Sequence, residues 1–169
     1  MKKIKIIGKR NIEGITGKKD KKRSIITNNI TKDLFDNKKQ IDWVNQLYLE
    51  NNYKNIKFAK REVERKLASY KKQDIDKKKL DKDNFIKYEE CLEKLVISKL
   101  NCYYCKKLCL FMYETVREKR QWTLDRINND IGHNNDNVVI CCLECNLKRG
   151  RLNDEKFKFT KQMKIIKKY

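Results

Sequence analysis

The sequence has no proline, only five glycines and a single histidine, His133, in 169 residues. It also lacks any run of 18 apolar residues, which excludes a transmembrane helix of ordinary length. The basic N-terminus has no apolar stretch of the kind found in secretion signals. We therefore expect an intracellular protein, whether in the cytoplasm, the nucleus or a virion. With one histidine, any imidazole chemistry depends on His133.

Acidic residues are scarce compared with basic ones. The chain has 43 Lys and Arg against 23 Asp and Glu, which gives a formal net charge of +20. Such an excess indicates a polyanionic partner, most often nucleic acid. A membrane surface is the rival partner, but the sequence has no lipidation motif. Of these basic residues, 34 are Lys and 9 are Arg. Such an excess of Lys is typical of AT-rich coding sequences, which account for part of the positive charge. The charge predicts binding and says nothing about catalysis.

Periodicity and charge divide the chain into four parts. Residues 1–35 form a basic flexible arm, either a disordered tail or a segment that orders on a duplex. Residues 36–100 have the apolar spacing of helices, and residues 101–150 hold six of the seven cysteines. Residues 151–169 are basic again, but their large apolar side chains predict docking against the rest: Phe157, Phe159, Met163, Ile165 and Ile166.

Three helices are predicted in the helical region, over residues 40–50, 56–70, and 83 or 84 to 100. The second carries a basic face formed by Lys60, Arg61, Arg65, Lys66 and Lys71. That face is either an ordinary solvated surface or one that contacts phosphates through Arg61 and Arg65. Cys91 lies on the apolar side of the third helix, so we expect it in the core.

Two Cys-x-x-Cys pairs stand 36 residues apart, Cys102 with Cys105 and Cys142 with Cys145. In an intracellular protein this spacing is typical of a tetrahedral zinc site with four thiolate ligands. Such a site is structural, because four thiolates leave no open position for water. Cys109 and Cys141 are alternative ligands, but using Cys141 would stretch the second pair, and we interpret both as non-ligands.

The residues between the pairs predict a strand, a loop, a strand and a helix. Residues 122–127 alternate as in a strand, and residues 128–137 are a polar loop. Residues 138–141, three β-branched residues followed by a cysteine, predict a short second strand. The second Cys-x-x-Cys pair then leads into a helix.

This arrangement resembles an HNH endonuclease of the zinc-bound ββα-metal class, similar in layout to the phage recombination endonuclease VII group. The resemblance covers about 50 of the 169 residues. It lies in Leu-Asp-Arg-Ile-Asn-Asn, Gly-His, Asp-Asn-Val-Val and Cys-x-x-Cys-Asn-Leu-Lys-Arg, read from residue 124 to residue 149. The upstream helices resemble those of HNH-like proteins of large DNA viruses. The implied fold is α+β, a mainly helical N-terminal half followed by the ββα-metal module.

The resemblance implies roles for individual residues. Asp125 and Asn146 take the places of the two ligands of a catalytic Mg²⁺ or Mn²⁺, and Asn137 takes that of the asparagine that braces the loop. DNA is the implied substrate, duplex or branched. Together with the basic helix face described above, this leads us to expect backbone contacts from Arg61, Arg65, Lys148 and Arg149. Members of the group act as dimers, so a homodimer is one partner that the resemblance suggests.

One position departs from the family pattern. The residue after the metal-binding Asp is normally the general-base His, and here it is Arg126. A guanidinium cannot accept a proton at neutral pH, although it can bind phosphate or stabilise a charged transition state. His133 is the remaining imidazole, but a lone loop histidine is more often exposed to solvent. The leading hypothesis is a metal-dependent DNA endonuclease. The alternatives are a catalytically inactive nucleic-acid-binding or nucleoprotein component and a zinc-ribbon module that binds another protein.

Overall fold

The structure is a computed structural model. It describes residues 36–51 and 56–164, together with residues 5, 7, 8, 11, 12, 15, 22, 23 and 166. In the described ranges the fold is α+β, with five helices and a two-stranded antiparallel sheet. Most of the predicted basic arm, residues 1–35, lies outside the described residues.

Three helices precede the sheet: α1 (Asn37–Tyr48), α2 (Ile56–Asp76) and α3 (Tyr88–Ile97). Helix α2 continues six residues beyond its predicted end at Tyr70. Helix α3 begins later than predicted, because the Asp81 carboxylate accepts the backbone N–H groups of Asp83 and Asn84 in a turn. The cap is Lys87 instead, whose backbone N–H donates to the Glu90 carboxylate at 2.7 Å.

The sheet and the last two helices follow in the order expected for the cysteine-rich region. Strand β1 (Trp122–Arg126) pairs with β2 (Val138–Cys142), with Trp122 opposite Cys142 and Arg126 opposite Val138. Helix α4 (Leu143–Arg149) starts directly after β2, and α5 (Asp154–Gln162) follows. The predicted order of strand, loop, strand and helix is confirmed, with strand ends shifted by one residue. The sequence predicts that the helix begins at Asn146, after the second cysteine pair, but it begins at Leu143.

One hydrophobic core joins the helices to the sheet. Apolar side chains from α1, α2 and α3 pack in the same buried cluster as Leu124 of β1 and Ile140 of β2. Cys91 is fully buried in this cluster, so its prediction as a core residue is confirmed. The helical half and the cysteine-rich half therefore stabilise each other.

The C-terminal segment docks through α5. Phe157 is buried, and its ring packs edge-on against Tyr104 with the ring centroids 5.1 Å apart. Gln162 donates from Nε2 to the carbonyl oxygens of Tyr103 and Tyr104 at 3.3 and 2.8 Å. Docking is confirmed for this helix, but Phe159, Met163 and Ile166 are exposed and Ile165 is outside the described residues.

Lys66 is wrongly predicted to lie on an exposed basic face. Its side chain is buried, with Nζ donating to the carbonyl oxygen of Trp122 and to Oε1 of Gln121. The ammonium also lies 4.7 Å from the centroid of the Trp122 ring. Burial lowers the pKa of Lys66 to about 7.

No helix in the described ranges is both long and apolar enough to cross a lipid bilayer.

Candidate functional site

Four cysteines meet at the junction of a turn, a strand and a helix. The Sγ atoms of Cys102, Cys105, Cys142 and Cys145 all lie within 4.8 Å of one another, and those of Cys105 and Cys142 are 4.0 Å apart. Around a zinc ion with bonds of about 2.3 Å, neighbouring thiolates are about 3.8 Å apart. A small contraction would close this cluster around a metal ion, so it is compatible with a structural zinc site.

The other two cysteines of this region lie outside the cluster. Cys141 is adjacent to Cys142 in β2, where successive side chains point to opposite faces. Its Sγ is 3.3 Å from Thr123 Oγ1, and burial raises the pKa of this thiol well above its ordinary value. Cys109 is buried and hydrogen-bonded to Cys102, which lowers the pKa of the Cys102 thiol. Cys109 therefore orients Cys102, a candidate zinc ligand, through this hydrogen bond.

A second site lies where β1 meets α4. Asp125 is buried, and its carboxylate accepts the Tyr104 hydroxyl at Oδ2 over 2.7 Å. Nη1 of Arg149 donates to both carboxylate oxygens, at 3.0 and 3.1 Å. Burial raises the pKa of Asp125, against the opposing effects of Tyr104 and Arg149. Asn146, in the first turns of α4, donates from Nδ2 to Thr123 Oγ1 and to the Leu124 carbonyl oxygen.

The four basic residues predicted to contact DNA have different surroundings. Arg149 is only 2% exposed, and its Nη2 donates to the carbonyl oxygen of Ile127 in addition to the Asp125 ion pair. A guanidinium buried in this way is not on a surface that a DNA backbone can reach, which corrects its predicted role. Arg61, Arg65 and Lys148 are exposed, and Lys148 also pairs with Glu144 at 2.6 Å.

Asp125 and Asn146 line a cavity of about 460 Å³ that we call the β1–α4 cavity. Arg126 and His133 line the same cavity. The structure thus brings together four of the five residues that the sequence analysis names as catalytic candidates. The other lining residues include four from the end of α2 and the turn after it, and four more from neighbouring segments: Tyr70, Gln73, Lys77, Lys79, Leu124, Asn129, Gly150 and Arg151.

His133 differs from the sequence expectation of a solvent-exposed loop histidine. It is 4% exposed, and its ring lies against Tyr70 with the ring centroids 4.6 Å apart. Nδ1 is 2.8 Å from Oδ1 of Asp74, and the backbone N–H of His133 donates to Oδ2 of the same carboxylate at 2.6 Å. Burial lowers the pKa of His133, with Asp74 acting in the opposite direction.

Asp74 is a residue that sequence reasoning missed. It lies in the last turns of α2, beyond the predicted end of that helix, and is completely buried. A signal was present, because Val63, Leu67 and Tyr70 continue to position 74 with the spacing of one helix face. A carboxylate on an apolar face needs a partner, and His133 supplies it.

Gly132 allows the loop to reach α2. A Cβ atom at this position would lie 2.4 Å from the carbonyl oxygen of Lys79 and 2.9 Å from Asp74 Oδ2. Any larger side chain would push the loop away, because the first of these atoms belongs to the backbone. Glycine is therefore required for the contact between His133 and Asp74.

Asn137 and Arg126 fix the same loop. Asn137 donates from Nδ2 to the carbonyl oxygens of Asn128 and Gly132, and its Oδ1 accepts the N–H of Asn128. Arg126 donates to the carbonyl oxygen of Ile131 at 3.2 Å and lies 3.8 Å from the Asp74 carboxylate. The loop between the strands is thus held at both ends and attached to α2.

Comparisons with protein-family models, with curated proteins and with solved structures give no match.

Proposed function

We propose that the protein is a metal-dependent DNA endonuclease of the HNH type, which hydrolyses phosphodiester bonds at the β1–α4 cavity. The observation that carries this proposal is the convergence of Asp125, Asn146 and His133 on that cavity. These residues come from a strand, a helix and a loop, and together they offer oxygen ligands and a proton acceptor. Lys77, Lys79 and Arg151 add positive charge around them, which suits a phosphodiester substrate.

Two oxygen donors would hold the proposed divalent cation. Asp125 Oδ2 accepts from both Tyr104 and Arg149, whereas Oδ1 accepts from Arg149, so the second lone pair of Oδ1 is the one that would bind the cation. Asn146 uses its Nδ2 atom in hydrogen bonds, so its Oδ1 is the atom available as a ligand. Bound Mg²⁺ or Mn²⁺ would polarise the phosphate and stabilise the leaving oxygen.

His133 is suited to act as the proton acceptor. Its Nδ1 is occupied by Asp74, so Nε2 is the nitrogen left to exchange a proton with the cavity. Burial favours the neutral imidazole, which is the form that a general base requires. The Asp74 carboxylate fixes the ring and stabilises the imidazolium formed on proton uptake. This role replaces the base that Arg126 cannot supply.

Arg126 has a different role in this proposal. Its guanidinium lines the cavity, and a guanidinium offers hydrogen-bond donors but no acceptor. We propose that it binds the scissile phosphate and stabilises the charge that builds up in the transition state. In the same proposal, Zn²⁺ bound by Cys102, Cys105, Cys142 and Cys145 fixes the start of α4, and with it Asn146.

Nicking of supercoiled plasmid tests the proposal. The wild-type protein should nick in Mg²⁺ or Mn²⁺, and Asp125→Asn and Asn146→Ala should each lose most of this activity. Asp130→Asn is the matched control, because this carboxylate lies in the loop after β1 and its side chain is 83% exposed. Activity that persists in both site variants would disprove the metal site.

A second candidate is a nucleic-acid-binding component without catalysis. The ion pair between Arg149 and Asp125 favours it, because Arg149 already supplies a positive charge where the metal would bind. This candidate predicts tight, salt-sensitive DNA binding without nicking in any metal. An Arg126→His variant that gains nicking would instead indicate a metal site lacking an adequate base.

A further inference from the structure

A second cavity adjoins the β1–α4 cavity along helix α2. It has a volume of about 430 Å³ and is lined on one side by Arg65, Ser69 and Gln73 of α2. Its other walls include Leu143 and Leu147 of α4. Tyr70, Gln73 and Asn146 line both cavities, so the two adjoin at Asn146, one of the proposed metal ligands, and we call them together the path.

One side of α2 borders the whole path. Four residues follow one another here at intervals of four positions: Arg65, Ser69, Gln73 and Lys77. Residues at this spacing are neighbours on a helix surface. All four are exposed, although each lines at least one of the two cavities. Lys77 follows the last residue of α2, and its N–H still donates to the carbonyl oxygen of Gln73. We call these four residues the α2 row.

The α2 row has the chemistry of a phosphate-contacting surface. It consists of two cations, a hydroxyl and an amide, all of which can donate to phosphate oxygens. Arg65 is paired with Glu62 at 2.9 Å, but Glu62 also accepts from Arg23 at 2.5 Å. One buried carboxylate thus pairs with two guanidinium groups, so the three side chains together carry a net positive charge. Of the two cations, Arg65 is the one whose side chain is half exposed.

The lining of the second cavity strengthens this assignment. Its lining residues include the cation Arg65 and no Asp or Glu. From Arg65 to Lys77 the helix rises about 18 Å, which equals the axial length of about five nucleotides in one strand of a duplex. The path is therefore long enough for several consecutive phosphates.

We propose that the α2 row binds the sugar-phosphate backbone of one DNA strand and guides that strand past Asn146 into the β1–α4 cavity. This inference rests on the proposed nuclease function, and it assigns the substrate-binding surface to the helical half of the chain. The same helix supplies Asp74 to His133. Helix α2 thus carries both the proposed strand-binding residues and the carboxylate that positions the proton acceptor.

Fluorescence anisotropy with a labelled 20-base-pair duplex, without added divalent cations, tests the row independently of cleavage. Arg65→Ala should weaken binding several-fold and reduce the slope of log K against log salt by about one unit. Lys71→Ala is the matched control, because Lys71 is an exposed cation of the same helix that lines neither cavity. Equal effects of the two variants would overturn the proposal.

A second pair of variants adds a charge instead of removing one. Ser69→Glu places a carboxylate in the path and should weaken binding by tenfold or more, whereas Ala68→Glu adds the same charge at an exposed neighbour outside both cavities. Thermal unfolding identifies any variant that fails to fold. If Ser69→Glu binds as tightly as Ala68→Glu, the strand does not follow this row.

The two proposals fail in different ways. If the row binds DNA but the protein is not a nuclease, the binding differences persist and wild-type protein nicks no plasmid in any metal. If the protein is a nuclease but the row is wrong, wild-type nicking is seen while Arg65→Ala and Ser69→Glu bind and nick like their controls.

Discussion

The Nδ1 atom of His133 lies 2.8 Å from Oδ1 of Asp74, so a loop between two strands and the end of a helix 59 residues earlier share one hydrogen-bonded pair. Both side chains are buried, and Gly132 allows the close approach. The pair fixes the imidazole ring beside the β1–α4 cavity. In the proposed mechanism, Asp74 of α2 therefore assists proton transfer by orienting the imidazole of His133.

The first prediction concerns activity. His133→Ala should reduce nicking by about a hundred- to ten-thousand-fold, the usual contribution of a general base. Asp74→Asn should cause a smaller loss, because the imidazole remains but loses the charge that stabilises its protonated form. Plasmid nicking under single-turnover conditions gives the rates.

Added imidazole separates a chemical role of His133 from a structural one. It should restore part of the nicking by His133→Ala and leave Asn146→Ala unchanged. An activity of His133→Ala equal to that of wild type would exclude this residue as the base.

The second prediction concerns stability against pH. The pKa of His133 in the folded protein is lowered below its ordinary value of 6.5, so the unfolded chain binds this proton more readily. The free energy of unfolding should therefore decrease as the pH falls through about 6.5. Asp74 opposes the shift, while burial, Arg126 and Lys77 favour it.

Urea titrations at pH 7.5, 6.5 and 5.5, with zinc present, measure this dependence. Because His133 is the only histidine in the chain, His133→Gln should reduce the loss of stability in this range. Contributions from thiols and Lys66 cancel in the comparison of the two proteins. An unchanged pH dependence in the variant would show that the imidazole is not buried in its neutral form.

Local spacing accounts for the parts of the structure that the sequence predicted well. Cys-x-x-Cys places two thiols on one turn, and the β-branched residues before Cys142 favour a strand, so the cluster and the β1–β2–α4 order follow from short segments. The α+β class follows from the same patterns. These features need no knowledge of contacts between distant residues.

The late start of α3 has a local cause, the turn at Asp81, but the other main failures involve partners far apart in the sequence. The residues next to Lys66 and Arg149 in the sequence are typical of a protein surface, but both side chains are buried. Lys66 donates to the carbonyl oxygen of Trp122, and Arg149 pairs with Asp125. The end of α2 has few apolar residues after Tyr70, and Asp74 is held there by a histidine 59 residues later. Propensity and charge describe local preference, whereas burial of a charged group depends on the tertiary partner.

The third prediction distinguishes the metal ligands from the neighbouring thiols. Cys102→Ser and Cys142→Ser should bind much less than one zinc per chain and should unfold more easily. Cys141→Ser is the matched control for Cys142→Ser, because Cys141 is the adjacent residue and contacts Thr123 instead. It should retain one zinc per chain. Elemental analysis of the purified proteins checks this, and zinc loss from Cys141→Ser alone would move the ligand to Cys141.

The fourth prediction concerns the ion pair between Arg149 and Asp125. Arg149→Met should destabilise the fold by about 3–5 kcal/mol, because it leaves the buried Asp125 carboxylate without its cation. Lys148→Met removes a charge from the next residue, which is exposed, and should leave the stability nearly unchanged. Urea denaturation of both variants provides the comparison.

The double variant Asp125→Asn with Arg149→Met separates pairing from packing. If the cost of Arg149→Met is the unpaired carboxylate, neutralising Asp125 in the same chain should recover a large part of the lost stability. The salt dependence of DNA binding adds an independent measure, since a buried Arg149 contacts no phosphate. Arg149→Met should keep the wild-type slope under conditions where it remains folded, and a slope smaller by about one unit would place Arg149 on the DNA-binding surface instead.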